Sequence, residues 1–285
     1  MAESRPGPAV GESLLAWSES GHRLLPVPPV SHGMDVADSW LVDHARVRGL
    51  EYHAERFTQA CRGRHGVAAI ATAEFLDAAC MALPRTGRWF PRVEFEAGAG
   101  FRLRLRAAPP QSLAGVVLRR ADEPDRRTDP TVKGPDLAML LDLRRRAAPL
   151  GADEVLLVSG SGMVLEGALS AVLWWRGDSL CGPPPTLPVL PSVTRQLLLQ
   201  IASEIGIEVQ FEVCRPEDLD GVEVWTASAL HGIRPVTSWS GEALTAASPS
   251  RAAAWQDLLI RKALPVEDAM GALGLVRSGK VQFTP

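Results

Sequence analysis

Lysine is scarce in this chain of 285 residues. Only Lys133, Lys262 and Lys280 are present, so arginine supplies the other 27 of the 30 basic side chains. A guanidinium group stays protonated in proteins, whereas a lysine amine can lose its proton and act as a nucleophile. Any chemistry that needs a side-chain amine therefore has three candidate residues.

Cysteine is also rare, and the four copies form no CxxC pair: Cys61, Cys80, Cys181 and Cys214. These cysteines lie far apart and the six histidines show no ligand spacing, so the sequence suggests neither a disulfide framework nor a zinc site. The pattern predicts reduced thiols in a cytoplasmic protein without a metal centre. P-loop, GxGxxG, HExxH and GxSxG motifs are likewise missing, which argues against the enzyme classes that use them.

A net charge of −3 gives no electrostatic footprint for nucleic acid. The sequence has no apolar run of the roughly 18 residues that a membrane span needs, and its first ten residues show no signal pattern. The composition, 46% hydrophobic and 22% charged, is typical of a globular protein. We expect neither a nucleic acid nor a membrane partner.

Hydrophobic periodicity predicts an α/β (α+β) protein with two domains. A charged stretch with two prolines and no periodicity begins at Ala121 and predicts a linker at 123–132, between a small domain at 1–122 and a larger one at 133–285. In the first domain we predict two helices and six strands: Tyr52–Cys61 and Ala68–Leu83; Ser13–Trp17, Ser39–Val42, Arg46–Leu50, Arg92–Phe95, Phe101–Ala107 and Val116–Arg119. In the second we predict three helices and four strands: Pro135–Ala148, Ser192–Ile205 and Ala252–Leu264; Glu154–Val158, Met163–Leu165, Val172–Trp175 and Val222–Thr226.

Two residues of the second domain suit the chemistry of pyridoxal phosphate (PLP). Lys133 lies just before a predicted helix, where its amine can reach a cleft, form a Schiff base and later move a substrate proton. Glu166 follows a predicted strand, and a carboxylate there can keep the PLP ring nitrogen protonated. Taken alone, each is more often a solvated lysine or an ordinary Glu-Gly turn.

Three further features suit a phosphate group. Val193 and Thr194 open the strongest predicted helix, whose free N–H groups attract anions. Ser228 and Ala229 lie in a loop of small residues after a strand, and Arg56 lies on a helix. A plain helix cap, a turn and a surface arginine are the alternative interpretations.

Taken in order, these motifs resemble the class-IV aminotransferase family of PLP enzymes (fold type IV), from Ser39 to Trp239. The succession is Lys133, Gly151-Ala152-Asp153-Glu154, Glu166-Gly167, Leu190-Pro191-Ser192-Val193-Thr194-Arg195 and Leu230-His231-Gly232-Ile233-Arg234-Pro235-Val236. The family includes branched-chain and D-amino-acid aminotransferases and aminodeoxychorismate lyase. The resemblance implies a small N-terminal α/β domain, a larger C-terminal domain with a mixed, barrel-like sheet and helices, and a homodimer.

The resemblance also implies residue roles. Lys133 is the Schiff-base lysine and Glu166 the carboxylate at the pyridine nitrogen. The phosphate is bound by Arg56, Val193, Thr194, Ser228 and Ala229. On the substrate side, Ser39, Arg92 and Arg234 are weaker candidates, and alternation along a strand places Arg102, Arg104 and Arg106 on one face.

Departures from the family pattern concern the substrate side. The stretch His32–Ser39 keeps little of the Tyr-Gly-Asp-Gly-x-Phe-Glu-Thr motif. Ala171 stands where the family has an asparagine, and Ala138 where branched-chain enzymes have a tyrosine. Three functions stay open: an aminotransferase acting on small amino and keto acids, a lyase that releases pyruvate and an aromatic amine, and a non-catalytic relative that keeps the fold.

Overall fold

The computed structural model describes residues 12–28 and 33–272. His32 and Lys280, which the sequence analysis names, lie outside these ranges. The described residues divide into two compact units: the first contains 12–28, 33–109 and 264–272, and the second runs from Pro110 to Ala263. Within the described ranges, no helix has the length and apolar character needed to cross a membrane.

The first unit is built on antiparallel strands. In chain order these are β1 (Ser13–Ser18), β2 (Arg23–Val27), β3 (Val36–Ser39), β4 (Val42–Asp43), β5 (Arg46–Arg48), β6 (Arg88–Trp89), β7 (Arg92–Glu96) and β8 (Gly100–Leu105). Five of them form a sheet in the order β2-β1-β8-β7-β3. A smaller sheet pairs β5, β4 and β6 and adds the late strand Ala263–Pro265.

Helices cover one face of the larger sheet. They are α1 (Leu50–His65) and α2 (Ala69–Met81), and Val266–Ala272 forms a further helix of this unit. The rings of Phe57, Phe75 and Phe101 are fully or almost fully buried, and the last two are stacked with centroids 4.8 Å apart. These aromatic contacts join both helices to β8.

The second unit contains one mixed sheet. Its strands are β9 (Val116–Arg120), β10 (Glu154–Val158), β11 (Val164–Gly167), β12 (Ala171–Arg176), β13 (Ser179–Gly182), β14 (Val209–Phe211), β15 (Val224–Ser228) and β16 (Gly232–Trp239). They lie in the order β11-β10-β9-β16-β15-β12-β13-β14. The α-helices are α3 (Leu137–Ala147), α4 (Val193–Glu204) and α5 (Ala252–Arg261). The predicted fold class is confirmed.

Burial explains why these segments form the core. Every residue of β10 and all but the last residue of β12 are buried, as expected for central strands that are covered on both faces. Helix α4 begins after Ser192, whose Oγ accepts the Arg195 amide at 3.3 Å, and buries Leu197, Leu198 and Ile201. The core therefore holds the ends of β11, β15 and α4 in fixed positions.

The division between the units differs from the predicted one. The sequence places a linker at 123–132, but the contacts place Pro110 and everything up to Ala263 in the second unit, and return the C-terminal segment to the first. The reason is β9, which the sequence assigns to the first domain. It pairs in parallel with both β10 and β16, and so lies inside the second sheet.

Candidate active site

Glu166 lies on β11 with its side chain only 7% exposed. Its Oε1 accepts two hydrogen bonds, from Arg127 Nη1 at 2.6 Å and from the Leu190 amide at 2.7 Å. Among the described residues, Oε2 has no hydrogen-bond partner. The carboxylate is thus held by one oxygen, and the described residues leave the other able to accept a further hydrogen bond.

Burial raises the pKa of Glu166, and this effect outweighs the lowering by Arg127 and the Leu190 amide. A carboxylate with a raised pKa binds a proton more strongly than an exposed glutamate does. It is therefore suited to a hydrogen bond with a protonated ring nitrogen.

Gly167 explains why a glycine follows Glu166. A Cβ at this position would lie 2.3 Å from Ser170 Oγ and 3.1 Å from the Ser170 carbonyl oxygen. The same turn is held by Glu154, whose Oε2 accepts the Ser170 hydroxyl at 3.1 Å. Close packing of the turn fixes the backbone that carries Glu166.

Arg127 connects Glu166 to the segment that carries the lysine. Its guanidinium also contacts both carboxylate oxygens of Asp125, at 2.9–3.0 Å, and the Pro188 carbonyl at 3.1 Å. The side chain is only 4% exposed. Two buried carboxylates thus share one buried cation.

Lys133 is half-buried in the bend before α3. The bend is closed by Asp136, whose carboxylate accepts hydrogen bonds from the backbone and hydroxyl of Thr128 and from the Asp129 amide. Gly134 follows the lysine with φ +141°, a conformation that favours glycine. The lysine loop is therefore a closed turn.

The N-terminus of α4 presents backbone donors. Val193 and Thr194 are 3% and 4% exposed, and the Ser192 hydroxyl accepts only the Arg195 amide among the first N–H groups of the helix. Helix starts of this kind bind anions through their free amides and the helix dipole.

Ser228 ends β15, and residues 229–231 form the turn to β16, because Ser228 pairs with Gly232. Gly232 has φ +71°, and a Cβ there would lie 2.4 Å from Gln256 Oε1. Gln256 of α5 supports the turn from behind: its Oε1 accepts the Ile233 amide at 2.7 Å, and its amide donates to the His231 carbonyl at 3.4 Å.

His231 and Arg234 bind the segment that leads into β9. The Ser112 amide donates to His231 Nδ1 at 3.2 Å, and Arg234 donates to the carbonyls of Ala114 and Gly115 at 3.1 and 3.2 Å. Burial, together with the cations of Arg234 and Arg144, lowers the pKa of His231 to about 4. In the described contacts, Arg234 supports the backbone of its own unit.

Arg56 lies on α1 in the first unit. It forms a bidentate pair with Asp38, Nε to Oδ2 and Nη2 to Oδ1, both at 2.8 Å. Burial alone would raise the pKa of Asp38, but Arg56 and His53, whose Nδ1 lies 2.7 Å from Oδ1, together hold it well below its usual range. Ser39 is buried beside this pair, and its amide donates to Asp38 Oδ1 at 2.7 Å.

The arginines of β7 and β8 differ in their partners. Arg92 and Arg104 both donate to Glu94, at 2.7 and 2.9 Å, and Arg102 contacts Glu96. Arg106, beyond the end of β8, donates to the Phe90 carbonyl and lies over the Phe90 ring, 5.1 Å from its centroid.

Arg106 forms no ion pair with a carboxylate among the described residues. Burial lowers its pKa to about 10, and the cations of Arg92 and Arg104 add to this effect. Within this group, Arg106 is therefore the side chain best able to donate hydrogen bonds to a carboxylate from outside the chain.

Several residues that support the predicted site residues of either unit are not predicted from the sequence. Arg127, Asp136, Gln256 and Asp38 each hold a predicted site residue or its loop. Only Asp136 carries a sequence signal, as an aspartate three residues after the candidate lysine at the start of a predicted helix. The others act through contacts between segments that are distant in sequence.

The chain is similar to several known proteins. A family model described as amino-transferase class IV matches residues 35–239. The chain is similar to a bifunctional aminodeoxychorismate lyase / D-amino acid transaminase of Mycobacterium tuberculosis, 35% identical over 101 residues, or 33% of this chain and 35% of that protein. D-alanine aminotransferase of Bacillus licheniformis is 28% identical over 119 residues, 41% of this chain and 42% of that relative. The alignments thus span less than half of either relative.

Solved structures resemble more of the chain. A hypothetical aminotransferase from Mycobacterium tuberculosis, in its PLP-bound form, superposes with a TM-score of 0.70. The match covers 90% of this chain and 99% of the aminotransferase chain. The sequences are 22% identical, so this likeness concerns the fold.

Proposed function

Because the chain belongs to the class IV aminotransferases, a family of PLP-dependent enzymes, we propose that it transfers an amino group from an amino acid to a keto acid. In this proposal Lys133 holds the cofactor through its amine and later moves the proton of the substrate α-carbon. When bound, PLP supplies an electron sink that weakens the bonds at that carbon.

The observation that carries the proposal is the geometry of Glu166. One oxygen is held by Arg127 and Leu190, and the other has no partner in the described part of the chain. A pyridinium N–H is a donor that fits this oxygen, and the raised pKa of Glu166 favours a strong hydrogen bond. These residues therefore fit the ring end of the cofactor.

Donors for the phosphate end are also present. The amides of Val193 and Thr194 and the Ser228–Ala229 turn offer the N–H and hydroxyl groups that bind phosphate oxygens. The phosphate role of Arg56 stays a prediction of the family resemblance. If it is correct, Arg56→Ala weakens PLP binding more than Arg64→Ala, a change at an exposed arginine of the same helix.

For the substrate carboxylate we favour Arg106 over the weaker candidates Arg92 and Arg234. Arg92 is paired with Glu94, and Arg234 is bonded to backbone carbonyls. Arg106 has a planar fork of donors and no carboxylate partner among the described residues, and such a fork suits bidentate carboxylate recognition.

Lyase chemistry is the second candidate. The similar protein from Mycobacterium tuberculosis carries both activities in its name. Ala138, which is exposed on α3, offers no hydroxyl where branched-chain enzymes of the family have tyrosine. In this alternative the same Lys133 and Glu166 serve the loss of pyruvate and release of an aromatic amine.

The test is an absorbance spectrum of the purified protein after incubation with PLP and removal of unbound cofactor by gel filtration. We expect a visible band in the wild type and in Lys262→Arg, and none in Lys133→Ala or Lys133→Arg. A shift of the band by an amino donor, reversed by a keto acid, supports transamination, whereas pyruvate release without a keto acid supports the lyase. A wild-type protein that stays colourless would overturn both and favour the non-catalytic relative.

We also propose that the protein works in the cytoplasm as a homodimer, the assembly that the family resemblance implies. All four cysteines are buried thiols, the state that a reducing compartment maintains. Light scattering during size-exclusion chromatography tests the assembly, with a mass of twice 30.6 kDa expected.

A further inference from the structure

We infer that Asp136 is a positioning residue that fixes the loop carrying Lys133, an inference that rests on the proposed function of Lys133. Three hydrogen bonds carry it. Asp136 Oδ1 accepts the Thr128 amide at 3.1 Å and the Thr128 hydroxyl at 3.0 Å. Oδ2 accepts the Asp129 amide at 3.0 Å.

These bonds close a loop whose two ends flank the lysine. Residues 128 and 129 begin the loop, Asp136 ends it, and Lys133 lies between these two ends. Inside the loop, the Val132 amide donates to the Asp129 carbonyl at 3.1 Å, and the Leu137 amide donates to the Gly134 carbonyl at 3.1 Å. The Asp136 carboxylate thus pairs the backbone amides of residues 128 and 129, which have no strand partner in this irregular segment.

Asp136 occupies the N-cap position of α3, where an aspartate ordinarily accepts an amide of the first helical turn. Here it makes no such capping bond. Both oxygens instead bond to the chain before the loop, so the side chain serves the loop and leaves the helix start without this cap. The residue is 9% exposed, which protects these bonds from exchange with water.

Arg127 joins the start of the loop to the carboxylate of Glu166. Arg127 directly precedes Thr128, and its Nη1 donates to Glu166 Oε1 at 2.6 Å. Asp136 therefore holds the segment directly after a residue that is fixed to Glu166. Loosening Asp136 should change the position of the Lys133 amine relative to Glu166 while leaving Arg127 and Glu166 paired.

The experiment compares Asp136→Asn, Asp136→Ala and Thr128→Val with a matched control, Asp142→Asn. Asparagine offers one oxygen and places N–H donors against at least one N–H of the loop. Valine at 128 removes only the hydroxyl donor. Asp142 lies on α3 itself but pairs with the exposed Arg145 and Arg146, so its change leaves the loop intact.

Two measurements follow the amine directly. The first is competitive acetylation by acetic anhydride of the full chain without cofactor, with the rate at Lys133 read by mass spectrometry relative to Lys262. The second is the Kd for PLP from an absorbance titration. Lys262 is a suitable reference because its amine is paired with Glu204, far from the loop in sequence.

Loss of one buried hydrogen bond changes an equilibrium by about fivefold. We expect Asp136→Asn to raise the acetylation ratio and the Kd by about this factor, Thr128→Val by less, and Asp142→Asn to change neither. A purely structural effect would lower the melting temperature but leave the ratio unchanged well below that temperature. If Asp136→Ala does not fold, the two milder variants decide the outcome.

Two results separate the possible failures. If the wild type binds PLP and Asp136→Asn gives the ratio and Kd of Asp142→Asn, the inference is overturned and the proposed function stands. If the wild type binds no PLP at Lys133, the proposed function is overturned together with it.

Discussion

Arg127 is the shared partner of two buried carboxylates, and replacing it by methionine tests the electrostatics of the site. Its Nη1 lies 2.6 Å from Glu166 Oε1, and its Nε and Nη2 lie 2.9–3.0 Å from the oxygens of Asp125. The two carboxylates are 7% and 9% exposed. Methionine fills part of the same volume without a charge, so Arg127→Met leaves both acids buried without their cation.

Removing one partner of a buried ion pair costs about 3–5 kcal/mol, because the remaining charge stays desolvated. We expect a loss in this range at neutral pH. Burial already raises the pKa of Glu166 above its ordinary 4.5, and removing Arg127 raises it further. The folded protein then holds a proton that the unfolded chain has released, so the stability of Arg127→Met falls as the pH rises from about 4.5 through the folded pKa.

Urea denaturation followed by tryptophan fluorescence measures the loss, because Trp174 and Trp225 are fully buried in this unit. The double variant Arg127→Met/Glu166→Gln should recover about 2 kcal/mol, since it removes one of the stranded charges. A loss below about 1 kcal/mol at pH 8, additivity in the double variant, or a larger loss at pH 5 than at pH 8 would refute this reasoning.

Three further predictions concern the supports of the site. Gln256→Leu leaves the buried Ile233 amide unpaired, so the free energy of unfolding should fall by about 1–3 kcal/mol in a urea titration. The Kd for PLP, measured by an absorbance titration, should rise. His231→Asn removes a group whose pKa is lowered from 6.5 to about 4. Denaturation at a series of pH values should show that the wild type loses stability as the pH falls from 6.5 to about 4, and that the variant loses less. If Arg106 binds the substrate carboxylate as proposed, Arg106→Met removes a charge-assisted contact, so steady-state kinetics should show a KM about tenfold higher, and an unchanged KM would exclude Arg106 from that role.

Local patterns predict most of the elements that frame the site. The strand Glu154–Val158 has the predicted bounds, α5 begins at the predicted Ala252, and α4 lies within the predicted Ser192–Ile205. The strand is a run of buried residues, and both helices bury residues at helical spacing, with Ser192 as the cap of α4. Such signals depend on near neighbours, which a single sequence contains.

The pairing of strands that are distant in sequence is not predicted from local patterns. No strand is predicted over residues 232–239, where Pro235 offers no amide for a ladder hydrogen bond. In the structure Pro235 pairs with Trp225, and β16 lies between β15 and β9. The register shift between Val236 and Ser238 accommodates this irregular strand. Tertiary pairing overrides the local preference here.

The candidate site shows the same limit. Lys133 and Glu166 carry chemistry that a motif can reveal, and they stay predictions for the experiments above. Arg127 and Gln256 act by completing hydrogen bonds of other segments, 39 residues away for Arg127 to Glu166 and 23 for Gln256 to Ile233. Nothing in the neighbouring residues distinguishes them from other arginines and glutamines.

The two described lysines show why an amine matters at one position only. Lys262 contacts Glu204 with its Nζ 2.5 and 2.6 Å from the two oxygens, an interaction that a guanidinium also forms. Lys133 lies in a closed loop in front of Gly134, and covalent attachment of a carbonyl cofactor requires a nitrogen that can lose its proton. Arginine supplies 27 of the 30 basic side chains, yet its guanidinium stays charged near neutral pH. Among the described basic residues, Lys133 is therefore the one whose proposed function an arginine could not perform.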